Sequence, residues 1–414
     1  MSFARRFLVI FVPLLFIPFA YSSPETDMFK NADSVSVSGS ARIRWEVKDQ
    51  LMDSNEKAED KKDFIGSRFR LELKFEPDSK STVYIQPQFT KFFGGVEPTT
   101  SGATSGSLQD TRLDIHQAYL DYSMSDQLSV RVGRQELAYG NHLVIGNVGW
   151  SHVSRSFDAL RIRHAFRDNK GFVDGFWSQI EDVDTEATFN TDSEFSGLYF
   201  QYKGLTYVPA LDFYVLHKGD ESNVDPNPDS FFTFGTRAEF DFDPVAFDFE
   251  FTQQSEYESN QADINLSYNL DNIRIYAGYS NAHKDYQQIY PTGHKFLGSA
   301  DLFGRRNIID MRAGVNAKMW ENKASINLEY HKFSRNDDKS PIYAVSGGGF
   351  AGSTGLEAGT EVASEADLSL RWNFSEKSHV VLGGAYVTPG EYLENIRGNN
   401  DNGHFVYLQT STSF

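Results

Sequence analysis

From Val35 onward the chain repeats one pattern: apolar and polar side chains alternate residue by residue, in stretch after stretch. A period of two is that of a β-strand, whose successive side chains point to opposite faces; an amphipathic helix repeats every 3.6 residues. Val35, Val37, Gly39, Ala41, Ile43, Trp45 and Val47 fall on one face, with Ser36, Ser38, Ser40, Arg42, Arg44, Glu46 and Lys48 on the other. The same split sets Phe69, Leu71, Leu73 and Phe75 against Arg68, Arg70, Glu72 and Lys74, and Phe247, Phe249 and Phe251 against Asp248 and Glu250. Both faces cannot meet water, and one is too charged for a protein core. A sheet with lipid on one side and water on the other satisfies both, and in a bilayer such a sheet must close on itself.

Segments of this kind fall near 35–50, 64–76, 81–93, 112–122, 127–137, 157–166, 171–181, 195–203, 210–218, 230–242, 244–254, 261–270, 272–283, 307–319, 323–334, 361–374, 378–388 and 402–414, roughly eighteen strands. Their connections alternate in length. Tight turns at Glu76 to Lys80, Ser123 to Asp126, Arg167 to Lys170, Asp241 to Pro244, Asp271-Asn272, Trp320 to Lys323 and Ser375 to Lys377 are interleaved with long polar stretches. These lie at 51–63, 94–111, 138–156, 182–194, 219–229, 284–306, 336–360 and 389–400. The rhythm predicts an all-β, transmembrane antiparallel barrel with short periplasmic turns and long extracellular loops, and an even strand count places both termini in the periplasm. The glycine-rich stretch at 347–359 reads as a flexible outer loop.

The first residues fit export to that membrane. Arg5 and Arg6 precede an apolar run of thirteen, Phe7 to Phe19, and Ala20-Tyr21-Ser22 suits a cleavage site. The run is short for a membrane helix and interrupted by Pro13 and Pro18, so residues 1–22 are expected to be a signal peptide and 23–414 one barrel domain. The expected location is the outer membrane of a Gram-negative-type cell, with membrane lipid as a permanent partner. The absence of cysteine removes disulfides, thiolate metal sites and thiol nucleophiles. Losing Arg5 and Arg6 with the leader takes the formal charge from −18 to −20, which argues against a nucleic-acid partner. Phe405-Val406-Tyr407-Leu408 through Phe414, ending on an aromatic residue, resembles the C-terminal strand that barrel-assembly machinery engages.

Eighteen strands enclose an aqueous lumen, so the inward side chains carry the function. By parity these include Arg42, Arg44, Arg68, Arg70, Arg131, Arg161 and Arg163, a dense set of permanent positive charges in the first third of the chain. Inward acids Glu239, Asp241, Asp248, Glu250 and Asp263 collect on strands ten to twelve, across the barrel. A basic wall opposite an acidic one would select charged or hydroxylated solutes. The bland alternative is that the charges pair with neighbours, Arg42 and Arg44 with Glu72 for instance. Inward Tyr84 and Tyr276 could stack on sugar rings. The ten histidines form no metal-spaced motif and no serine elbow is present, so no catalytic residue, metal or cofactor is expected. An enzymatic barrel and a filled structural barrel stand as alternatives to a channel.

Between Val130 and Arg163 three short motifs stand close together: Gly133-Arg134-Gln135 followed by Tyr139-Gly140, then Trp150-Ser151, then Arg155-Ser156-Phe157-Asp158 with Arg161, preceded upstream by His116-Gln117-Ala118-Tyr119-Leu120. This region resembles the alginate export family of outer-membrane porins. The resemblance implies an eighteen-stranded monomeric barrel whose arginine-rich constriction conducts an acidic polysaccharide. It carries functional weight onto Arg131, Arg134, Arg155, Asp158 and Arg161, with Trp150 in the loop motif; Trp150, Arg155 and Asp158 would equally serve to pin a loop folded into the lumen. A general diffusion porin with a mixed-charge constriction is the alternative cargo reading.

Overall fold

The computed structural model describes residues 34–49, 51, 61–93, 111–166, 169–181, 193–220, 230–345 and 358–414. Within these lie eighteen strands: β1 (Ser34–Asp49), β2 (Lys62–Glu76), β3 (Ser81–Phe93), β4 (Thr111–Ser123), β5 (Leu128–Gln135), β6 (Phe157–Phe166), β7 (Gly171–Glu181), β8 (Ser193–Tyr202), β9 (Ala210–Asp220), β10 (Ser230–Phe242), β11 (Val245–Gln254), β12 (Asn260–Leu270), β13 (Ile273–Ala282), β14 (Ile308–Met319), β15 (Ala324–Arg335), β16 (Glu361–Asn373), β17 (Ser378–Pro389) and β18 (Gly403–Ser413). Each pairs antiparallel with its sequence neighbours, and β1 pairs with β18 from Ser40↔Ser413 to Asp49↔His404, closing the sheet into a barrel. The expected strands are all present, most within two or three residues of the expected ends. The expected leader, most of the first long connection and most of the glycine-rich stretch lie outside the described residues.

The parity assignment holds along the wall. Outward positions such as Val37, Leu113, Leu198 and Leu328 are exposed, as an apolar belt against lipid must be, while Arg44, Glu46, Asp174 and Asp212 on the opposite face are buried. The register slips at three places, between β7 and β8 after Gln179, between β15 and β16 after Phe333, and between β3 and β4, where Pro87 has no N–H to give the ladder and the shift follows Gln86. The bulge turns His116 and Gln117 inward together; both then meet Glu136, His116 Nε2 at 2.7 Å from its carboxylate and Gln117 Oε1 accepting its backbone N–H at 3.1 Å. This small irregularity receives the first residue of the loop that leaves β5.

Two features depart from the expected picture. The β11–β12 connection on the extracellular side is only residues 255–259. In the last outer loop a short helix, α1 (Glu391–Arg397), interrupts the expected coil; Gly398, at φ 76°, ends it, Glu391 and Glu394 lie in its first turn and Arg397 in its last, as the helix dipole favours. Its Tyr392 and Leu393 are buried, and the Tyr392 hydroxyl accepts the Ile342 N–H at 3.1 Å.

Candidate conducting lumen

The lumen is crossed by two of the outer loops. Residues 136–156, between β5 and β6, bury Leu137, Tyr139, Leu143, Val144 and Ile145; residues 283–307, between β13 and β14, bury Tyr286, Leu297, Leu302 and Phe303. The loops meet edge to edge. Gly146 N–H donates to the Tyr290 carbonyl at 2.8 Å, Tyr290 N–H to Val144 at 3.1 Å and Thr292 N–H to His142 at 3.0 Å. The adjoining wall is aromatic where a water-filled lumen would be polar: Tyr139 stacks on Tyr199 at 4.4 Å, Tyr199 on Tyr214 at 5.3 Å, and Phe157 and Phe195 pack against Tyr290. The barrel thus holds a hydrophobic core inside its wall, built by the first loop, for which a lumen-folded course was one of two readings, and by the second, which its polar flanks place outside.

Three of the seven expected lumen arginines hold the first loop in place. Arg42 donates to the carbonyls of Gly149 (2.8 Å) and Ser151 (2.7 Å). Arg44 donates to the Trp150 carbonyl at 2.8 Å and to Glu46 at 2.6 Å, with its guanidinium 3.6 Å from the centre of the Trp150 ring. The other face of that indole lies parallel to His294 of the second loop at 3.7 Å. Arg68 donates to Ser154 Oγ at 2.8 Å and to Ser151 O at 3.0 Å. The suggested pairing of Arg42 and Arg44 with Glu72 is not found: Glu72 accepts from Ser38 and Gln86, because it sits a full turn of the pleat away from the loop carbonyls that claim both arginines.

The other four lie on β2, β5 and β6. Arg70 donates to Gln88 at 2.7 Å and lies 3.7 Å from Glu136. Arg131 and Arg161 are register partners. Arg131 pairs with Asp121 and stacks 4.0 Å over Tyr119, whereas the nearest acid to Arg161 is Asp174 at 3.9 Å. Arg163 takes Asp174 through two hydrogen bonds of 2.7 Å. Asp174, fully buried, also accepts the Tyr139 hydroxyl at 2.8 Å. Asp174, Asp121, Glu136, Tyr139 and His294 were not among the expected residues; inward parity marks Asp174 on β7, whereas the loop residues carry no strand signal.

Of the motif residues, Arg155 crosses between the loops, donating to Gly146 O at 3.1 Å and Pro291 O at 3.2 Å. Burial pushes its guanidinium down to about 10. Trp150 and Arg155 therefore pin the loop, but Asp158 does not. Asp158 and Arg134 are register partners two residues along from the outward Val132–Leu160 pair and so on the same membrane-facing side, joined at 3.2 Å. At Glu136, burial acts to raise the carboxyl, but hydrogen bonds from His116 and Asn147 and the nearby Arg70 outweigh it and hold it below the usual range.

The acidic side is partnered too. Glu239 meets Arg237, Asp248 accepts from Asn265 at 2.9 Å, Asp263 is taken by Arg305 and Arg312, and Glu250 is buried beneath the Tyr214 hydroxyl at 2.6 Å; Asp241 is exposed near the periplasmic turn. Of the inward tyrosines, Tyr84 is stacked on Tyr119 at 5.0 Å and Tyr276 donates to Asn327 at 3.3 Å.

A closed antiparallel barrel with an apolar outer belt, short turns at one end, and loops folded into a charge-lined interior defines an outer-membrane channel of the porin class. Within that class, the chain belongs to the alginate export family, whose sequence profile matches residues 33–272 and 276–407. Solved structures of similar fold include OccAB1 of Acinetobacter baumannii (TM-score 0.64, 10% identity, 94% of this chain and 100% of that one). OpdK of Pseudomonas aeruginosa is another (TM-score 0.64, 10% identity, 92% and 99%), as is OccK8 (OprE) of the same organism (0.62, 11%, 93% and 99%). At such identities the likeness is one of fold. No curated protein sequence matches the chain.

Proposed function

We propose that the lumen conducts an acidic oligosaccharide or polysaccharide of the polyuronate class, selected by the arginine wall of β1, β2, β5 and β6. One observation carries the reading. Among the described residues, Arg42, Arg68 and Arg155 are held by neutral carbonyl and hydroxyl oxygens and no carboxylate lies in ion-pair range of them. Their charge is fixed in place without being cancelled, and a low-dielectric wall projects it into the adjoining passage. Arg161, whose nearest acid stands 3.9 Å away, is the contact position, a partly exposed guanidinium fork suited to carboxylates, with its register partner Arg131, held on Asp121, adding to it from β5. The family's name supports the same cargo class. The reading assigns no catalytic residue and takes the barrel as a monomer.

The test is single-channel recording of the refolded protein in a planar bilayer. The expected result is an anion-preferring current, blocked by oligouronates, with blockade weakened about tenfold by Arg161→Ala and further by the double variant with Arg131→Ala, since each charged hydrogen bond contributes about 1.5–3 kcal/mol. A cation-preferring current indifferent to oligouronates would overturn the polyuronate reading and favour a general diffusion channel.

A further inference from the structure

Where the second loop rests on β14 to β16, buried charges do not balance. Arg312 spans Asp263 and Asp310 at 2.9 Å each, and Arg305 takes the second oxygen of Asp263 at 3.0 Å. That leaves His331 as the one base in ion-pair range of Glu329 and Asp367 among the described residues, none in range of Glu365, and Arg312 acting on Glu329 only from further away. His331, Glu365 and Asp367 are 1%, 0% and 5% exposed. Glu365 and Asp367 each use one oxygen to hold the loop, accepting Ala300 N–H at 2.8 Å and Ser299 N–H at 3.0 Å. Their other oxygens, Glu365 Oε2 and Asp367 Oδ1, are buried without a partner. Carboxylates in this situation need protons or a cation.

We propose that the cluster is a divalent-metal site, with Glu329, His331 Nε2 and Asp367 as ligands. The imidazole is already set for it. Its Nδ1 lies 3.0 Å from Asp310, which fixes the ring as a carboxylate does behind a metal-bound histidine, and its Nε2 faces Glu329 Oε1 at 3.6 Å and Asp367 Oδ2 at 3.8 Å. The three ligand atoms lie within 4.8 Å of one another. Tetrahedral coordination at about 2.1 Å separates ligand atoms by about 3.4 Å, so closing on an ion takes side-chain shifts of a few tenths of an ångström to about one. One imidazole with two carboxylates suits a first-row transition ion, and Zn²⁺ is the probe of choice. Glu365 completes the site as the neighbouring charge.

The consequence is regulatory. The carboxylates around the ion also grip Ser299 and Ala300, next to Gly298, whose φ of 82° and approach to Glu365, 2.5 Å from where a Cβ would stand, leave room for no side chain. An ion bound here fixes the lumen-crossing loop to the wall, so its occupancy sets how much that loop moves. The site does not depend on which solute the channel carries.

The experiment is calorimetric titration of the chelator-treated, refolded full chain with Zn²⁺ alone, with bound metal counted after gel filtration. The expected result is one Zn²⁺ per barrel, weakened at least a hundredfold in Glu329→Gln and in Asp367→Asn, each checked for folding by its unchanged heat-dependent gel mobility. Both substitutions keep size and hydrogen-bonding capacity, so they remain informative if His331→Ala fails to fold. A second readout is open-channel current noise, which Zn²⁺ should lower in the wild type and leave unchanged in Glu329→Gln. No stoichiometric binding, or equal binding by wild type and variants, would overturn the site and leave protons as the compensating charge.

Discussion

An arginine on the inner wall of a barrel can meet an acid, which cancels its charge, or a carbonyl, which orients it and leaves the charge standing. Arg131 and Arg163 meet the first kind of partner and Arg42 and Arg68 the second. His152 sits beside the second group, 1% exposed, its Nε2 3.2 Å from Arg44 Nη2 and 3.3 Å from Glu46 Oε1. Burial lowers its pKa first of all; a hydrogen bond with Glu46 opposes this, and the charges of Arg44 and Arg42 add to the lowering, taking it to about 4. The folded imidazole is therefore neutral where the unfolded one takes a proton. Stability present above about pH 6.5 is lost as pH falls toward 4, by about 3 kcal/mol at the low end. Denaturant unfolding of the refolded barrel between pH 7 and pH 4 should show this loss, and His152→Asn should flatten it; an unchanged pH profile in the variant would show that His152 is not the group responsible. Parity could not give the inward direction of Arg155 and Arg305, which come from loops, but made that of the seven strand arginines legible in the sequence. Their partners were not, because Gly149, Trp150 and Ser151 contribute backbone oxygens, which no residue letter announces.

At the scale of elements, what positions the lumen is contact between two loops that the strand pattern treats as independent. Polar flanks and length make both read as extracellular coil, and only the Trp150, Arg155 and Asp158 motif offers, for the first, the alternative of a loop folded into the lumen. Yet Leu137, Tyr139, Leu143, Val144 and Ile145 form an apolar run that water would not hold, and with hindsight this is the signal that the loop turns inward. The partner across the lumen, Tyr290 and Thr292, was not legible, since it lies well over a hundred residues further on and shares no periodicity with the first loop. The join is tight at Gly146, where an added Cβ would stand 2.1 Å from Thr292 Oγ1. Gly146→Val should part the loops, destabilising the barrel by about 1–3 kcal/mol. In a bilayer it should raise conductance and current noise together; a variant with wild-type conductance would show that the loop junction does not limit the passage. Shortening 283–307 between Tyr286 and Phe303 should have a larger effect of the same sign on conductance.

At the scale of the whole molecule, the number of strands, their order and the inside and outside of the wall were all readable from a period of two and the rhythm of turns. Those quantities are set by local sequence and by the demand that no backbone group stand unpaired in lipid. The register of the closing pair, β1 with β18, was not readable, because nothing local links two segments so far apart. It can be checked directly in a chain without cysteine: Ser40→Cys with Ser413→Cys, register partners in the structure, should form a disulfide that keeps the barrel circular under denaturing electrophoresis. Ser40→Cys with Thr410→Cys, out of register, should not, and efficient cross-linking of that second pair would show the seam to be shifted.

That seam joins ten residues, Ser40 to Asp49, to ten others, His404 to Ser413, and a barrel lacking it has two raw edges. In hydrocarbon each unpaired peptide group on such an edge costs several kcal/mol, so a half-inserted, unclosed ribbon is a state the membrane does not tolerate. Entry into the bilayer and meeting of the two edges must therefore occur as one event, and a strand from a second copy of the chain, presenting the same hydrogen-bonding row, competes for the same edge until they do. Substitutions along the seam should accordingly be felt as a lower yield of inserted protein, while those barrels that do close conduct as the wild type does.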